Sequence, residues 1–217
     1  MTVRETLGVA DSPLWAVVRG MQATLAAVTA YAVVTVDPTL VVNAGLPLLV
    51  SFVPDILDRH YERDVGGGLA VWIAAATFLH TVGALGPYEW IGWYDQVTHT
   101  LSATLVAGVG YAVVKALDES SGAVEFPPEF RFLFIVLFVL AFGVVWEVAE
   151  FASGGLASLV GGEPVLAQYG QRDIVLDLTF NAVGAVAVGL WGTGYFDGIA
   201  AVLSRGVASV FGRQEDR

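Results

Sequence analysis

Seven ionisable residues lie within or at the ends of strongly apolar stretches of this chain, at spacings that could bring their side chains together. They are His80, Asp95, His99, Glu147, Glu150, Asp173 and Asp177. Six of them form pairs spaced three or four residues apart, so the two members of a pair lie on one face of a helix. These pairs are Asp95 with His99, Glu147 with Glu150, and Asp173 with Asp177.

Imidazole and carboxylate groups in this arrangement are typical ligands of a divalent metal such as zinc or manganese, and also of iron. Helical bundles build such centres from inward-facing Glu, Asp and His side chains. A bound metal would also relieve the repulsion between the carboxylates. Glu150 is predicted to act as a general base and Arg172 to hold an anionic group. The predicted metal ligands are His80, Asp95, His99, Glu147, Asp173 and Asp177.

Two other interpretations of these residues involve neither a metal nor a reaction. The same residues could form a structural hydrogen-bonded network, or some could be hydrated residues at helix ends. An acidic residue in the first turn of a helix is favoured by the helix dipole, which would account for Asp95 and Asp173. The dipole does not account for Glu147, Glu150 or His80.

The elements that must position these residues are membrane-spanning helices. Of the 217 residues, 56% are hydrophobic and only 14% are charged, with a mean hydropathy of +0.69. Soluble domains carry about 25% charged residues. The sequence therefore predicts an all-α, polytopic transmembrane helical bundle rather than a soluble domain. Six spans are predicted near residues 14–36, 39–54, 68–86, 95–116, 131–153 and 173–192.

The basic residues predict the orientation of this bundle. With these spans nine of the ten basic residues fall on one side, and only Arg172 falls on the other. Because positive charge is enriched in cytoplasmic loops, both termini are predicted to be cytoplasmic and the protein to lie in the plasma membrane. Odd spans then run outward and even spans begin outside, which gathers the ionisable residues in the outer half of the membrane.

Three further segments carry predictions. Residues 1–195 are assigned to the bundle, and 196–217 to an amphipathic interfacial helix with a cytoplasmic tail. The charged run 55–64 is interpreted as a solvated, ion-paired loop. The connection 154–170 is glycine-rich yet apolar, which fits either a lid over the outer site or a plain interfacial loop.

Composition excludes some functions. The chain has no cysteine, so disulfides, thiolate metal sites and cysteine nucleophiles are excluded. A net charge of −11 disfavours nucleic acid as a partner and is typical of an acidic, salt-adapted or GC-rich host.

Several motifs resemble those of known families. Residues from about 54 to 189 resemble the YjdF-like family of membrane proteins, and a looser resemblance connects the chain to VanZ-like membrane proteins. The first resemblance implies a shared fold and site but no particular reaction. It is carried by Phe78-Leu79-His80 with Gly83, Tyr94-Asp95 with His99, Glu147-Val148-Ala149-Glu150-Phe151, and Asp173 and Asp177 before Gly184; the second by Asp95-Gln96-Val97-Thr98-His99 with Arg172, Asp177 and Asn181.

Three functions remain open on the sequence. The first is a membrane-embedded binding protein or enzyme, a metal-dependent hydrolase or transferase, acting from the outer face on a membrane lipid or a lipid-linked substrate. The second is proton or cation translocation through the same carboxylates, although the inner halves of spans three to six contain almost no ionisable residue. The third is a structural or accessory role. The sequence indicates no oligomeric state.

Overall fold

The computed structural model describes residues 11–61, 66–120, 126–166, 168–197 and 200. Within these residues every regular element is helical, and six helical segments are long and apolar enough to cross a membrane. The all-α, multi-pass fold predicted from the sequence is confirmed. The helices are α1 (Asp11–Thr35), α2 (Pro38–Ser51), α3 (Val53–Tyr61), α4 (Gly67–Ala84), α5 (Pro87–Trp90), α6 (Tyr94–Ser120), α7 (Pro128–Val160) and α8 (Gln171–Ala187), followed by a π-helical turn (Val188–Gly192) and a 3-10 turn (Thr193–Phe196).

Successive crossings are antiparallel and pack as two groups of three. Helices α1, α2 and α4 contact one another, as do α6, α7 and α8, and α4 with α6 joins the two groups. We call the end where α1, α4 and α7 finish the site end. The opposite end, near Arg19, Arg59, Lys115 and Arg131, is the basic end.

The turn between α1 and α2 is set by local chemistry at the site end. Val36 has a positive φ of 56°, and Asp37 caps α2 by accepting a hydrogen bond from the Leu40 amide at 2.9 Å. Pro38 at the first helical position needs no amide partner. The two helices therefore reverse within a very short connection.

The second crossing is longer than predicted. The chain breaks its helix at Phe52 and continues as α3, so the crossing extends to Arg59. Interpreting 55–64 as a loop was wrong for its first part, which is helical. The physical reason is that Asp55 is paired with Arg19 of α1, so its charge is compensated where the helix enters the apolar region.

Helix α7 also extends beyond its predicted end at 153, and it stops at Val160 before Gly161, which has a φ of 69°. The first part of the 154–170 connection is thus helical rather than a loop. The predicted interfacial helix at 196–217 lies mostly outside the described residues, which include Phe196, Asp197 and Ala200 of it. Phe196 is buried against α6 rather than lying at an interface, and Asp197 pairs with Lys115 of α6.

Candidate functional site

Three of the predicted residues converge at the site end, two from α6 and one from α8. One ligand atom from each of Asp95, His99 and Asp177 lies within 4.8 Å of the others. The His99 Nε2 atom is 3.5 Å from Asp95 Oδ1 and 3.6 Å from Asp177 Oδ1. Two ligand atoms bound to one zinc ion at about 2.1 Å and tetrahedral angles would lie about 3.4 Å apart. The two His99 distances are therefore compatible with a shared metal and also with His–Asp ion pairs, and they are too long for a good N–H···O hydrogen bond.

Burial makes these carboxylates unusual. Asp177 is 1% exposed and its Oδ1 atom has no hydrogen-bond partner among the described residues. Glu147 of α7 is 6% exposed and its Oε1 atom likewise lacks a partner there. Buried polar atoms in folded proteins are nearly always satisfied, and an unpaired buried carboxylate is costly. Each of the two oxygens is thus free to accept a hydrogen bond, a proton or a bond to a cation.

Close helix contacts bring these residues together. A Cβ at Gly184 of α8 would lie 2.6 Å from the Thr100 carbonyl oxygen of α6, the residue after His99. A Cβ at Gly143 of α7 would lie 2.9 Å from the Asn181 Nδ2 atom of α8. Gly143 and Asn181 are each four residues from Glu147 and Asp177 respectively. Small residues therefore set the helix separation directly beneath the site.

His80 is held outside this group by two protein partners. The Asn43 amide Nδ2 donates to the carbonyls of Thr39 at 2.8 Å and Val165 at 2.7 Å, so Asn43 Oδ1 must accept from His80 Nε2 at 3.1 Å. His80 Nδ1 is then unprotonated and accepts from the Tyr88 hydroxyl at 2.9 Å. Both ring nitrogens are occupied by protein partners, so His80 stands apart from the group formed by Asp95, His99 and Asp177 in this structure.

Tyr88 is suited to this donor role. Burial raises the pKa of the Tyr88 phenol above its usual value, so the hydroxyl keeps its proton over the physiological range. Gly83 leaves room for the ring, because a Cβ there would lie 2.5 Å from Tyr88 Cζ. The glycine shared with the YjdF-like motif thus has a steric explanation in this chain.

The remaining predicted residues surround the group without joining it. Glu150 is buried, and its Oε1 atom accepts from the Trp146 indole at 2.8 Å. Asp173 Oδ2 accepts from the Tyr169 amide at 3.0 Å. Arg172 is exposed at the start of α8. Glu147 and Glu150 both lie within electrostatic range of Asp95, and Glu147 also lies within range of His99.

The segment after α7 is anchored to both groups of helices at the site end. Asn43 and Thr39 of α2 donate to the carbonyls of Val165 and Pro164. On the other side, the Leu166 amide donates to Ser153 of α7 at 2.9 Å. Beyond it, Gln168 Nε2 is 3.5 Å from Glu147 Oε2. The described parts of 161–170 therefore bridge the two groups beside the carboxylates.

Sequence reasoning missed three residues that shape the site: Asn43, Tyr88 and Trp146. Asn43 could have been found from the sequence, because a polar residue inside an apolar span is expected to face other polar groups in the bundle. Tyr88 lies in the short connection between two crossings and could not have been found in that way. Trp146 packs edge-on against His80, with ring centroids 6.1 Å apart, and so connects α7 to α4.

The fold and the site define a multi-pass membrane protein with a His and carboxylate group buried between its helices. Residues 17–198 match a family described as "Predicted membrane protein (DUF2238)", and the chain belongs to that family. This is the YjdF-like family that the sequence motifs indicated, whereas the VanZ-like resemblance gains no support. No curated protein and no solved structure matches the chain.

Proposed function

We propose that this chain is a divalent-metal-binding membrane protein whose centre, formed by Asp95, His99 and Asp177, acts on a lipid or lipid-linked substrate. The observation that best supports a bound metal is the environment of the Asp177 carboxylate. This carboxylate is fully buried, lacks a hydrogen-bond partner at Oδ1 and lies 3.6 Å from His99 Nε2. A cation would compensate this charge and that of Asp95 together.

The donor set narrows the choice of metal. One imidazole and two carboxylates suit zinc, manganese or iron, and the absence of thiolates disfavours soft metals. These three protein ligands would leave a fourth coordination position for substrate or water, as catalytic zinc sites do.

A metal at this position would polarise a substrate oxygen or lower the pKa of a bound water. Glu150, beside Glu147 on α7, would accept a proton, and the exposed guanidinium of Arg172 would hold an anionic head group. A lipid or lipid-linked substrate fits because the site lies at one end of helices whose outer faces are apolar. The reaction class would be metal-assisted hydrolysis or group transfer.

Translocation of protons or cations is the second candidate, and the two orphaned carboxylate oxygens favour it equally. Against it, the described ionisable residues of α6 and α7 beyond the site lie close to the basic end, as Lys115, Asp118 and Arg131 do. No chain of titratable groups joins the two ends among the residues that the structure describes.

We also propose that the basic end faces the cytoplasm and that the protein lies in the plasma membrane with both termini inside. The charged residues at the basic end support this orientation under the positive-inside rule. The site end would then face outward, where a lipid-linked substrate in the outer leaflet could reach it.

Elemental analysis of the detergent-purified chain tests the metal centre. We expect about one zinc, manganese or iron per chain in the wild type and almost none in His99→Ala, since loss of one of three ligands removes most of the affinity. His60→Ala is the matched control, because α3 carries it at the basic end. Wild-type protein that stays metal-free after incubation with each ion would refute the proposal.

Replacing His80 should separate its role from that of His99. In His80→Ala, Asn43 Oδ1 and the Tyr88 hydroxyl lose their partner, and an unsatisfied buried group costs about 1–3 kcal/mol. We expect a lower thermal midpoint with the metal content unchanged. Loss of metal from a variant that keeps its wild-type midpoint would make His80 a ligand instead.

A further inference from the structure

A second feature with the chemistry of a binding site lies at the basic end, far along the helices from the carboxylates. A cavity of about 390 Å³ opens between α1 and α3 and is lined by Arg19, Phe52, Asp55, Ile56 and Arg59. Two guanidinium groups face one carboxylate there, which leaves a net charge of +1. Phe52 and Ile56 form an apolar wall beside these charges.

The Arg19 guanidinium is held in place before any ligand arrives. It donates through both Nη atoms to the Asp55 carboxylate, and Nη1 also donates to Gln22 Oε1 at 2.6 Å. Gln22 is itself buried and donates to the Ser51 carbonyl at 3.0 Å, where the helix breaks before α3. A planar guanidinium fixed in this way loses little further conformational freedom when it binds an anion.

Despite these bonds the Arg19 side chain is 51% exposed. Its outer edge therefore remains available, while the ring of Trp15 lies 5.3 Å from its guanidinium carbon and shields the other side. Arg59 is exposed on α3 at the same cavity. Asp55 offsets one of the two positive charges, and the other has no opposing charge among the cavity's lining residues.

We propose that this cavity binds the phosphodiester of an anionic phospholipid, with Arg19 and Arg59 as its donors. The charge is complementary, since one phosphodiester carries a single negative charge and the cavity a single positive one. Basic pockets between transmembrane helices bind anionic head groups in this way. A lipid rather than free phosphate is the occupant because Phe52 and Ile56 provide an apolar wall along which an acyl chain can lie.

Native mass spectrometry of the detergent-solubilised full chain tests this site with phosphatidylglycerol and phosphatidylcholine as probes. We expect phosphatidylglycerol to bind the wild type more tightly, and Arg59→Gln to weaken it about tenfold, the effect of losing one charge-assisted hydrogen bond. Arg59→Lys, which keeps the charge, should retain most of the binding. Lys115→Gln removes a positive charge at the same end but outside the cavity, where Lys115 pairs with Asp197, and it should leave lipid binding unchanged.

Three results would overturn the site. These are equal binding of the two lipids, equal weakening by Arg59→Gln and Lys115→Gln, or displacement of the bound lipid by millimolar inorganic phosphate, which would make free phosphate the ligand. The measurement does not depend on the metal centre. Metal content determined on the same samples keeps the two proposals separately testable.

Discussion

Asp177→Asn is expected to abolish metal binding while leaving the metal-free protein at least as stable as the wild type. Without a metal, the buried Asp177 carboxylate lies beside Asp95 and His99 with one oxygen unpaired. Asparagine removes that charge and its repulsion at nearly constant volume. Replacing an uncompensated buried charge by a neutral group of similar shape is commonly neutral or stabilising.

With saturating metal, the wild type should be more stable than Asp177→Asn, which is the reverse of the order expected without metal. Metal at about 100 times its dissociation constant stabilises the folded state by about 2.7 kcal/mol. This gain should be present in the wild type and absent in the variant. Thermal unfolding of each protein with chelator measures the stability of the metal-free form. The same experiment with saturating zinc or manganese measures the stabilisation that the metal adds.

Asp173→Asn is the matched control on the same helix. Asp173 accepts only a backbone amide in the described structure, at 3.0 Å, and an asparagine oxygen can accept the same bond. Metal should therefore stabilise Asp173→Asn by as much as it stabilises the wild type. If Asp177→Asn instead unfolded more easily in chelator and Asp173→Asn did not, the carboxylate would serve the fold and not a cation.

The three grouped residues could be predicted from the sequence because their positions follow from two local rules. Helical spacing places Asp95 and His99 on one face, and antiparallel crossings place the start of α8 at the same depth. His80 lies at the depth that the same rules predict, and yet its ring nitrogens bond to Asn43 and Tyr88 instead of joining the group. Its partners come from a different crossing and from a short connection, and no spacing rule relates Asn43 or Tyr88 to His80.

The helix ends show a second limit of sequence reasoning. The sequence predicts that the connection between the fifth and sixth spans begins at Gly154, and Gly154 and Gly155 each cost about 1 kcal/mol in a helix. Within an apolar environment the backbone has no water to bond, so continuing the helix is favoured over exposing amides. Helix α7 therefore runs through both glycines to Val160.

Gly184→Ala should damage both the fold and the metal centre, although it adds only one methyl group. The new Cβ would lie 2.6 Å from the Thr100 carbonyl oxygen and 2.9 Å from the Ala103 Cβ atom. Neither atom can move away by a side-chain rotation, so α6 and α8 must separate. Overpacking of this kind costs about 1–3 kcal/mol.

The same separation would pull His99 and Asp177 apart, because they lie on the two helices being displaced. A metal site tolerates shifts of only about 0.5 Å in its ligands. We therefore expect metal affinity to fall at least tenfold together with the thermal midpoint, as measured by metal titration and unfolding of the same preparation.

Gly154→Ala provides the matched control on α7, since a Cβ there meets nothing within 4 Å. It should be neutral or raise stability by up to about 1 kcal/mol through helix propensity, with metal affinity intact. The comparison that decides is whether thermal stability and metal affinity fall together in Gly184→Ala. Loss of stability in Gly184→Ala with unchanged metal affinity would mean that contact between α6 and α8 does not position the ligands, and the centre would then have to be assembled by α7 and the segment that follows it.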